Sequence, residues 1–256
     1  VNSVKSGRVH HAYLFSGARG TGKTTVARLL AKALNCQENL GGVICEKCDA
    51  CRGIKEGSFV DVQEIDGASN RGIDEIRNLR DNIRYAPVMG KYKVYIIDEA
   101  HQITGPAFNA LLKTLEEPPR HGVFILATTE PHSIPPTISS RCQKYNFRLL
   151  TMDEVTSTLK RIIPLENVTA DDAAINLLAR YADGSMRDAQ SLLDQAIAYC
   201  AGDITSDKVR ELFGTLPDEY LEMTFDAMAD QDPKKIIEML GLLVKTGYDC
   251  LLYTSP

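Results

Sequence analysis

Apolar positions in the first 150 residues follow two alternating rhythms. Short continuous runs at Ala12-Tyr13-Leu14-Phe15, Val60 to Ile65, Lys93 to Ile97 and Val123 to Ala127 read as buried strands. Between them, Lys23 to Leu34, Ile73 to Tyr85 and Pro106 to Leu115 carry apolar residues at helical spacing, the last two closed off by Pro87 and by Pro118-Pro119. Strands alternating with helices predict an α/β fold with a parallel sheet covered on both faces. After about Phe147 the strand rhythm stops. Asp153 to Ile163, Ala170 to Ala182, Met186 to Cys200 and Ser206 to Leu212 are all helical in period, with polar starts at Thr151, Thr169 and Ser185. From Leu216-Pro217-Asp218 a third segment opens, with helical patterns at Glu219 to Ala229 and Pro233 to Lys245. The expected division is an α/β domain over 1–148, a small helical domain over 149–214 and the start of another helical domain over 215–249. Residues 250–256 continue no pattern and are expected to be foreign to the fold. Val1 is not an initiator Met, so the chain is expected to be a fragment.

Composition narrows the class without naming it. Apolar residues make up 44% and charged residues 25%, ordinary for a globular protein, and no apolar run approaches the ~20 residues of a membrane span. Val1 to Arg8 leads into no apolar signal region, so a cytoplasmic protein without membrane contact is expected. The net charge of −5 argues against bulk electrostatic coating of nucleic acid, but it is unevenly spread. Residues 1–150 carry 20 Lys and Arg against 15 Asp and Glu, whereas residues 151–256 carry 9 against 19. A polyanion would meet the first part, with chance scatter on two solvated surfaces as the alternative.

The chemistry begins at Gly17-Ala18-Arg19-Gly20-Thr21-Gly22-Lys23-Thr24, followed by Thr25, which matches G-x-x-x-x-G-K-[ST] between a predicted strand and a predicted helix. Gly17, Gly20 and Gly22 let the backbone curl so that its N–H groups converge on phosphates, and the positive end of the following helix faces the same oxygens. Lys23 is expected to reach the β- and γ-phosphates of ATP, and Thr24 to give its hydroxyl to Mg²⁺. Val94 to Ile97 is an apolar strand ending in two carboxylates, at the sheet edge where ligands of such sheets sit. Asp98 would hold Mg²⁺, and Glu99 would polarise the attacking water. Thr128 and Thr129 end the next strand. Either hydroxyl could orient that water and Thr129 is preferred, although both are also simply good strand formers.

Cys36, Cys45, Cys48 and Cys51 form a C-x8-C-x2-C-x2-C pattern in a polar, glycine-containing insertion. Four thiolates can close a tetrahedral zinc shell with no open position, which implies a structural rather than catalytic metal. Disulfides compete with this reading and iron–sulfur ligation is a smaller alternative; the absence of a secretion signal favours the metal. Cys142, Cys200 and Cys250 have no partners at ligand spacing, and the first two read as packed apolar residues.

Phe108 to Pro119 (FNALLKTLEEPP) and Ser139-Ser140-Arg141-Cys142, taken with the phosphate loop, Asp98-Glu99-Ala100-His101 and Gly184-Ser185-Met186-Arg187-Asp188, resemble the gamma/tau family of bacterial DNA polymerase III clamp-loader subunits. The resemblance runs from about His10 to Asp249. The cysteine insertion is shared with the related delta prime subunit, whose nucleotide site looks degenerate where this one is whole. The resemblance implies an AAA+ phosphate-loop ATPase with a helical lid and a helical collar, working within a DNA-directed DNA polymerase holoenzyme. It implies that Arg141 is an arginine finger acting in trans on a neighbour's ATP, and that Arg187 is a second sensor on the lid. The expected partners are delta, delta prime and further gamma/tau copies in a hetero-oligomeric ring, the sliding clamp and primer–template DNA. Gly67 to Ile73 precedes a helix and offers free N–H groups, amides and one cation to a phosphate backbone. The corresponding helices of clamp loaders form a spiral staircase around primed DNA, so the resemblance implies that Asn70 and Arg71 contact DNA. A capped surface helix is the alternative.

Overall fold

In the computed structural model, which describes residues 8–38, 43–70, 72–200, 202–214 and 218–245, the chain divides into two compact units, 1–149 and 150–256. The first is built on β1 (Ala12–Gly17), α1 (Lys23–Asn35), α2 (Asp49–Glu56), β2 (Val62–Asp66), α3 (Ile73–Asn82), β3 (Lys93–Asp98), α4 (Gly105–Glu116), β4 (Gly122–Thr128), the short α5 (Pro136–Ser139) and β5 (Gln143–Phe147). Its five strands are all parallel, in the order β2-β3-β4-β1-β5.

The period-2 alternation of the inner strands builds two cores from one sheet. Tyr95, Ile97, Phe124 and Leu126 face α3 and α4, with Ile76, Leu79, Phe108 and Leu111. Val94, Ile96, Val123 and Ile125 face α1 and α2, with Ala27, Ala31, Leu34 and Ile54. Every residue of β4 is buried, as is β3 up to Asp98, which is why both strands read as unbroken apolar runs.

Some elements of this unit escape the hydrophobic pattern, the four-residue α5 among them. β5 has four exposed residues out of five, because it is an edge strand held by backbone pairing to β1. The helix α2 begins at the end of the cysteine insertion and runs past it, its short apolar spacing outweighed by Asp49, Arg52, Lys55 and Glu56.

The second unit contains α6 (Met152–Ile162), β6 (Thr169–Ala170), α7 (Asp172–Tyr181), α8 (Met186–Cys200), β7 (Asp203–Ile204), α9 (Ser206–Phe213), α10 (Asp218–Ala229) and α11 (Pro233–Lys245). Its core joins Val155, Leu159, Leu178, Ala189, Leu193 and Val209. Thr151 caps α6 with a complete capping box: its hydroxyl accepts from the Glu154 N–H while Glu154 accepts from the Thr151 N–H. Thr169 does not start a helix. It lies in β6, which pairs with β7 in a two-stranded parallel ribbon, and Asp171 caps α7 instead. Residues 250–256, including Cys250, lie outside the described residues.

Candidate nucleotide site

Parallel strands end together, and here their C-terminal ends gather the sequence-predicted groups. Ser16 pairs with Thr128 and Asp66 with Asp98, so the phosphate loop, the paired carboxylates and both threonines leave the sheet at one edge. β4 lies between β1 and β3, which puts Thr128 and Thr129 between the phosphate loop and Asp98-Glu99.

The loop has the conformation its glycines allow. Gly22, which precedes the first turn of α1, has φ +91°, a region that side chains disfavour. At Gly17 the constraint is spatial as well: a Cβ would sit 2.2 Å from the carbonyl oxygen of Phe147 on β5. The Thr21 hydroxyl donates to the Ala18 carbonyl at 2.8 Å and closes the curl. Ala18, Arg19 and Thr25 are exposed. Lys23 is buried and folds back over the loop, its ammonium donating to the carbonyls of Gly17 (2.9 Å) and Ala18 (2.8 Å). Burial lowers its pKa, and the nearby Glu99 and Asp98 carboxylates partly offset that shift.

Across the edge, the Thr24 hydroxyl donates to Asp98 Oδ2 at 2.6 Å. Asp98 Oδ1 accepts from the Glu99 N–H at 2.9 Å. Glu99 itself has φ +45°, a left-handed conformation rare for a residue with a side chain and costing roughly 1–3 kcal/mol. Gly67 stands behind it: its N–H donates to the Asp98 carbonyl at 2.8 Å, and a Cβ there would sit 2.7 Å from the Glu99 carbonyl oxygen.

The two threonines have different surroundings. Thr128 is fully buried and its hydroxyl accepts from the Glu130 N–H at 3.0 Å. Thr129 is part-exposed and its hydroxyl donates to Glu99 Oε2 at 3.3 Å. His101, whose place in Asp98-Glu99-Ala100-His101 carries no role by itself, also reaches this carboxylate, with Nδ1 at 3.4 Å from Glu99 Oε2. No local signal marks it, since the contact that ties it to the end of β4 is with Thr128, 27 positions further on.

Arg141 is elsewhere. It follows α5 and precedes β5, whose Gln143 pairs with Tyr13 and whose Phe147 pairs with Gly17. The length of β5, about 13 Å at ~3.3 Å per residue, therefore separates its edge of the sheet from the phosphate loop. The guanidinium donates to Glu116 Oε1 at 2.7 Å and to the Thr137 carbonyl at 2.5 Å. An open hollow of about 880 Å³ lies beside it, lined by Arg8, His10, His11, Glu116 and Gln143 among others. Next to it, Cys142 is buried, which pushes its thiol up to about 11.

Arg187 is exposed in the first turn of α8, within the helical unit, where the Ser185 hydroxyl accepts from the Asp188 N–H at 3.3 Å. Asn70 lies in a turn built on Asp66, whose carboxylate accepts from the Ala68 N–H (2.9 Å) and the Ser69 hydroxyl (2.8 Å). The Asn70 amide donates to the Asp66 carbonyl at 3.1 Å. Arg71 lies outside the described residues.

The four cysteines meet although they span 16 positions of sequence. Cys36 ends α1, Cys48 precedes α2 and Cys51 lies in its first turn. All four sulfurs lie within 4.8 Å of one another, with Cys36–Cys45 at 3.6 Å and Cys45–Cys51 at 3.9 Å. A tetrahedron with ~2.3 Å zinc–sulfur bonds has edges of about 3.8 Å. The donor set and its spacing suit zinc, and none of these cysteines is in a disulfide.

Two family models match: one described as DNA polymerase III, delta subunit, over residues 1–151, and one described as DNA polymerase III clamp loader subunit, ATPase lid domain, over residues 154–202. DNA polymerase III subunit tau of Escherichia coli strain K12 is 45% identical over 97% of this chain, and that of Bacillus subtilis strain 168 is also 45% identical over 97%. DNA polymerase III subunit gamma of Buchnera aphidicola subsp. Acyrthosiphon pisum is 42% identical over 97% of this chain and 69% of its own length. The chain belongs to the gamma/tau family of DNA polymerase III clamp-loader AAA+ ATPases. It spans 39% of the length of the Escherichia coli tau relative and 44% of the Bacillus subtilis one. Among solved structures, the Thermotoga maritima RuvB Holliday junction branch migration motor superposes with a TM-score of 0.61 over 89% of this chain and 71% of its own, at 18% identity. That likeness is one of fold. Family membership implies nucleotide binding, and no helix among the described residues is long and apolar enough to cross a membrane.

Proposed function

We propose that this chain is an ATPase subunit of the bacterial clamp loader, using ATP binding and hydrolysis to drive a sliding clamp onto primed DNA. The observation that carries the reading is the convergence of Lys23, Thr24, Asp98, Glu99 and Thr129 on one sheet edge in a chain of this family. The loop amides from Gly17 to Thr25 would cradle the phosphates. Lys23 would exchange its two carbonyl partners for β- and γ-phosphate oxygens. Mg²⁺, when bound, would neutralise developing phosphate charge, held by Thr24 and Asp98. Glu99 would accept a proton from the attacking water as that oxygen bonds to the γ-phosphorus, while the bond to the β–γ bridging oxygen breaks and ADP leaves. Thr129 would hold the carboxylate and the water in line.

Arg141 is better placed for a neighbour's ATP than for its own. It lies a strand's length from its own phosphate loop and beside an open hollow, which suits an arginine finger supplied in trans. Arg187 would sense the γ-phosphate from the lid. Asn70 and Arg71 would contact the DNA backbone at the start of α3. The partners are then delta, delta prime, other gamma/tau copies, the clamp and primer–template DNA, in the replisome. The segment from 215 would open a collar domain. The four cysteines would hold a structural zinc tying the end of α1 to α2. Metal analysis of the purified chain tests this, and a chain that folds fully without zinc overturns it.

The deciding experiment measures ATP turnover by the complete loader complex with clamp and primed DNA. Glu99→Gln should lower the stimulated rate by about 10²-fold or more with ATP binding retained. Unaltered hydrolysis would remove Glu99 as base, and a wild-type complex that clamp and primed DNA do not stimulate would remove the loader assignment.

A further inference from the structure

We infer that His101 is a positioning residue for Glu99, coupling the carboxylate to the end of β4. The inference rests on the reading of Glu99 as the base and extends it to a residue with no assigned role. His101 is only 10% exposed in its side chain and sits in a 3₁₀ turn, Ala100–Gln102, pinned at either end by buried Ala100 and Ile103. Its Nδ1 lies 3.1 Å from Thr128 Oγ1 and 3.4 Å from Glu99 Oε2. Its Nε2 lies 3.1 Å from Gln102 Nε2 and 4.0 Å from Glu130 Oε1.

In the tautomer that carries its proton on Nδ1, with the Gln102 amide nitrogen donating to Nε2, Nδ1 is the donor toward β4 and the carboxylate. That proton is shared between the Thr128 hydroxyl oxygen and the Glu99 carboxylate. Thr128 is itself fixed, fully buried and accepting from the Glu130 N–H. The imidazole is therefore a rigid strut from β4 to the carboxylate. Thr129 reaches the same oxygen, Oε2, from the next residue of the same strand end. Both struts thus hold one carboxylate oxygen, which leaves Oε1 to meet the water. A glutamate on a strained, left-handed backbone has three side-chain torsions to restrain, and misplacing a reacting group by 1 Å can cost ~10²-fold in rate.

The test uses the complete complex containing His101→Ala, His101→Asn, Glu99→Gln, or His101→Ala with Glu99→Gln. Asparagine can return an N–H near the position of Nδ1, whereas alanine cannot. His101→Ala should lower the stimulated kcat roughly ten- to hundredfold while the Kd for a non-hydrolysable ATP analogue moves less than about twofold. His101→Asn should recover most of the rate, and in the Glu99→Gln background the alanine change should cost nothing further. An unchanged kcat in His101→Ala, a Kd that weakens as much as kcat falls, or an asparagine variant no better than alanine would each overturn the inference. If Glu99→Gln hydrolyses normally, the base reading fails and the inference falls with it; if Glu99→Gln is inactive but His101→Ala is normal, only the inference fails. Should the alanine variant not fold, the kcat of His101→Asn against that of a His101→Leu variant carries the same decision.

Discussion

The two edges of the five-stranded sheet treat their polar residues in opposite ways. At the N-terminal edge they are spent. Asp61 is fully buried and accepts from the N–H groups of Val88 (2.8 Å), Met89 (2.6 Å) and Gly90 (2.7 Å). Asn35 Oδ1 accepts from the Lys91 and Tyr92 N–H groups, Lys93 donates to the Asn82 carbonyl, and His121 to that of Ile83. At the C-terminal edge, Lys23 is held only by carbonyls of a glycine loop, Glu99 is on a strained backbone, and its carboxylate takes two contacts of 3.3 and 3.4 Å. One edge fixes the loop between α3 and β3 with closed pairings; the other holds Glu99 by long contacts, and Lys23 and Thr24 by short bonds that a phosphate or a cation can replace. The lesson is that a buried charge with three good donors marks structure, and a loosely held one at a strand end marks chemistry.

Arg141 is where that comparison is most exposed to failure, because it is a half-exposed charge at the structural edge. Arg141→Ala should lower stimulated turnover of the complete complex by about 10³-fold while the variant chain's own ATP affinity holds. Loss of affinity instead would place Arg141 in its own site. Next in size, Asp61→Ala should destabilise the α/β unit by about 3 kcal/mol, read by chemical unfolding, because three buried N–H groups lose their acceptor. Burial pushes the Asp61 carboxyl up, but the three backbone donors and Lys93 outweigh it and hold it below the usual carboxylate range. A carboxyl depressed in the folded state contributes stability that is present above the unfolded value of about 3.9 and is lost as pH falls through the lower folded value. Asp61→Asn should therefore flatten the acid limb of the stability curve below about pH 4; an unchanged limb would contradict the assignment. The smallest effect separates the two threonines. Thr129→Val should slow turnover about tenfold with little change in melting temperature, whereas Thr128→Val should cost about 1 kcal/mol of stability by orphaning the Glu130 N–H and slow turnover only through the freed His101 ring. The reverse pattern would exchange their roles.

Legibility in the sequence followed the same division. The inner strands β3 and β4 were readable because burial on both faces leaves no polar interruption, and the phosphate loop because its glycines and Lys23 are local in sequence. The edge strand β5 was not, since its pairing uses backbone groups and its side chains from Gln143 to Asn146 are exposed, Tyr145 only in part because its ring packs against Phe15. Asp61 was equally silent: one aspartate before a strand carries no mark of the three amides that fold back onto it from 27 to 29 positions away. His101 was visible as a letter in a motif but not as a group, because Thr128 lies 27 positions further on.

Sequence by itself determined the class of chemistry. A glycine loop before a helix, two carboxylates after an apolar strand and four cysteines at ligand spacing are short-range patterns whose physics is carried by a few adjacent residues. Tertiary structure decided which groups share an edge. Only the strand order puts β4 between the phosphate loop and Asp98, so that Thr24 meets Asp98 and Thr129 meets Glu99; only parallel pairing puts Arg141 a strand's length away. Those placements depend on backbone hydrogen bonds between segments far apart in the chain, which any residue except proline can make and which composition and local spacing therefore do not record.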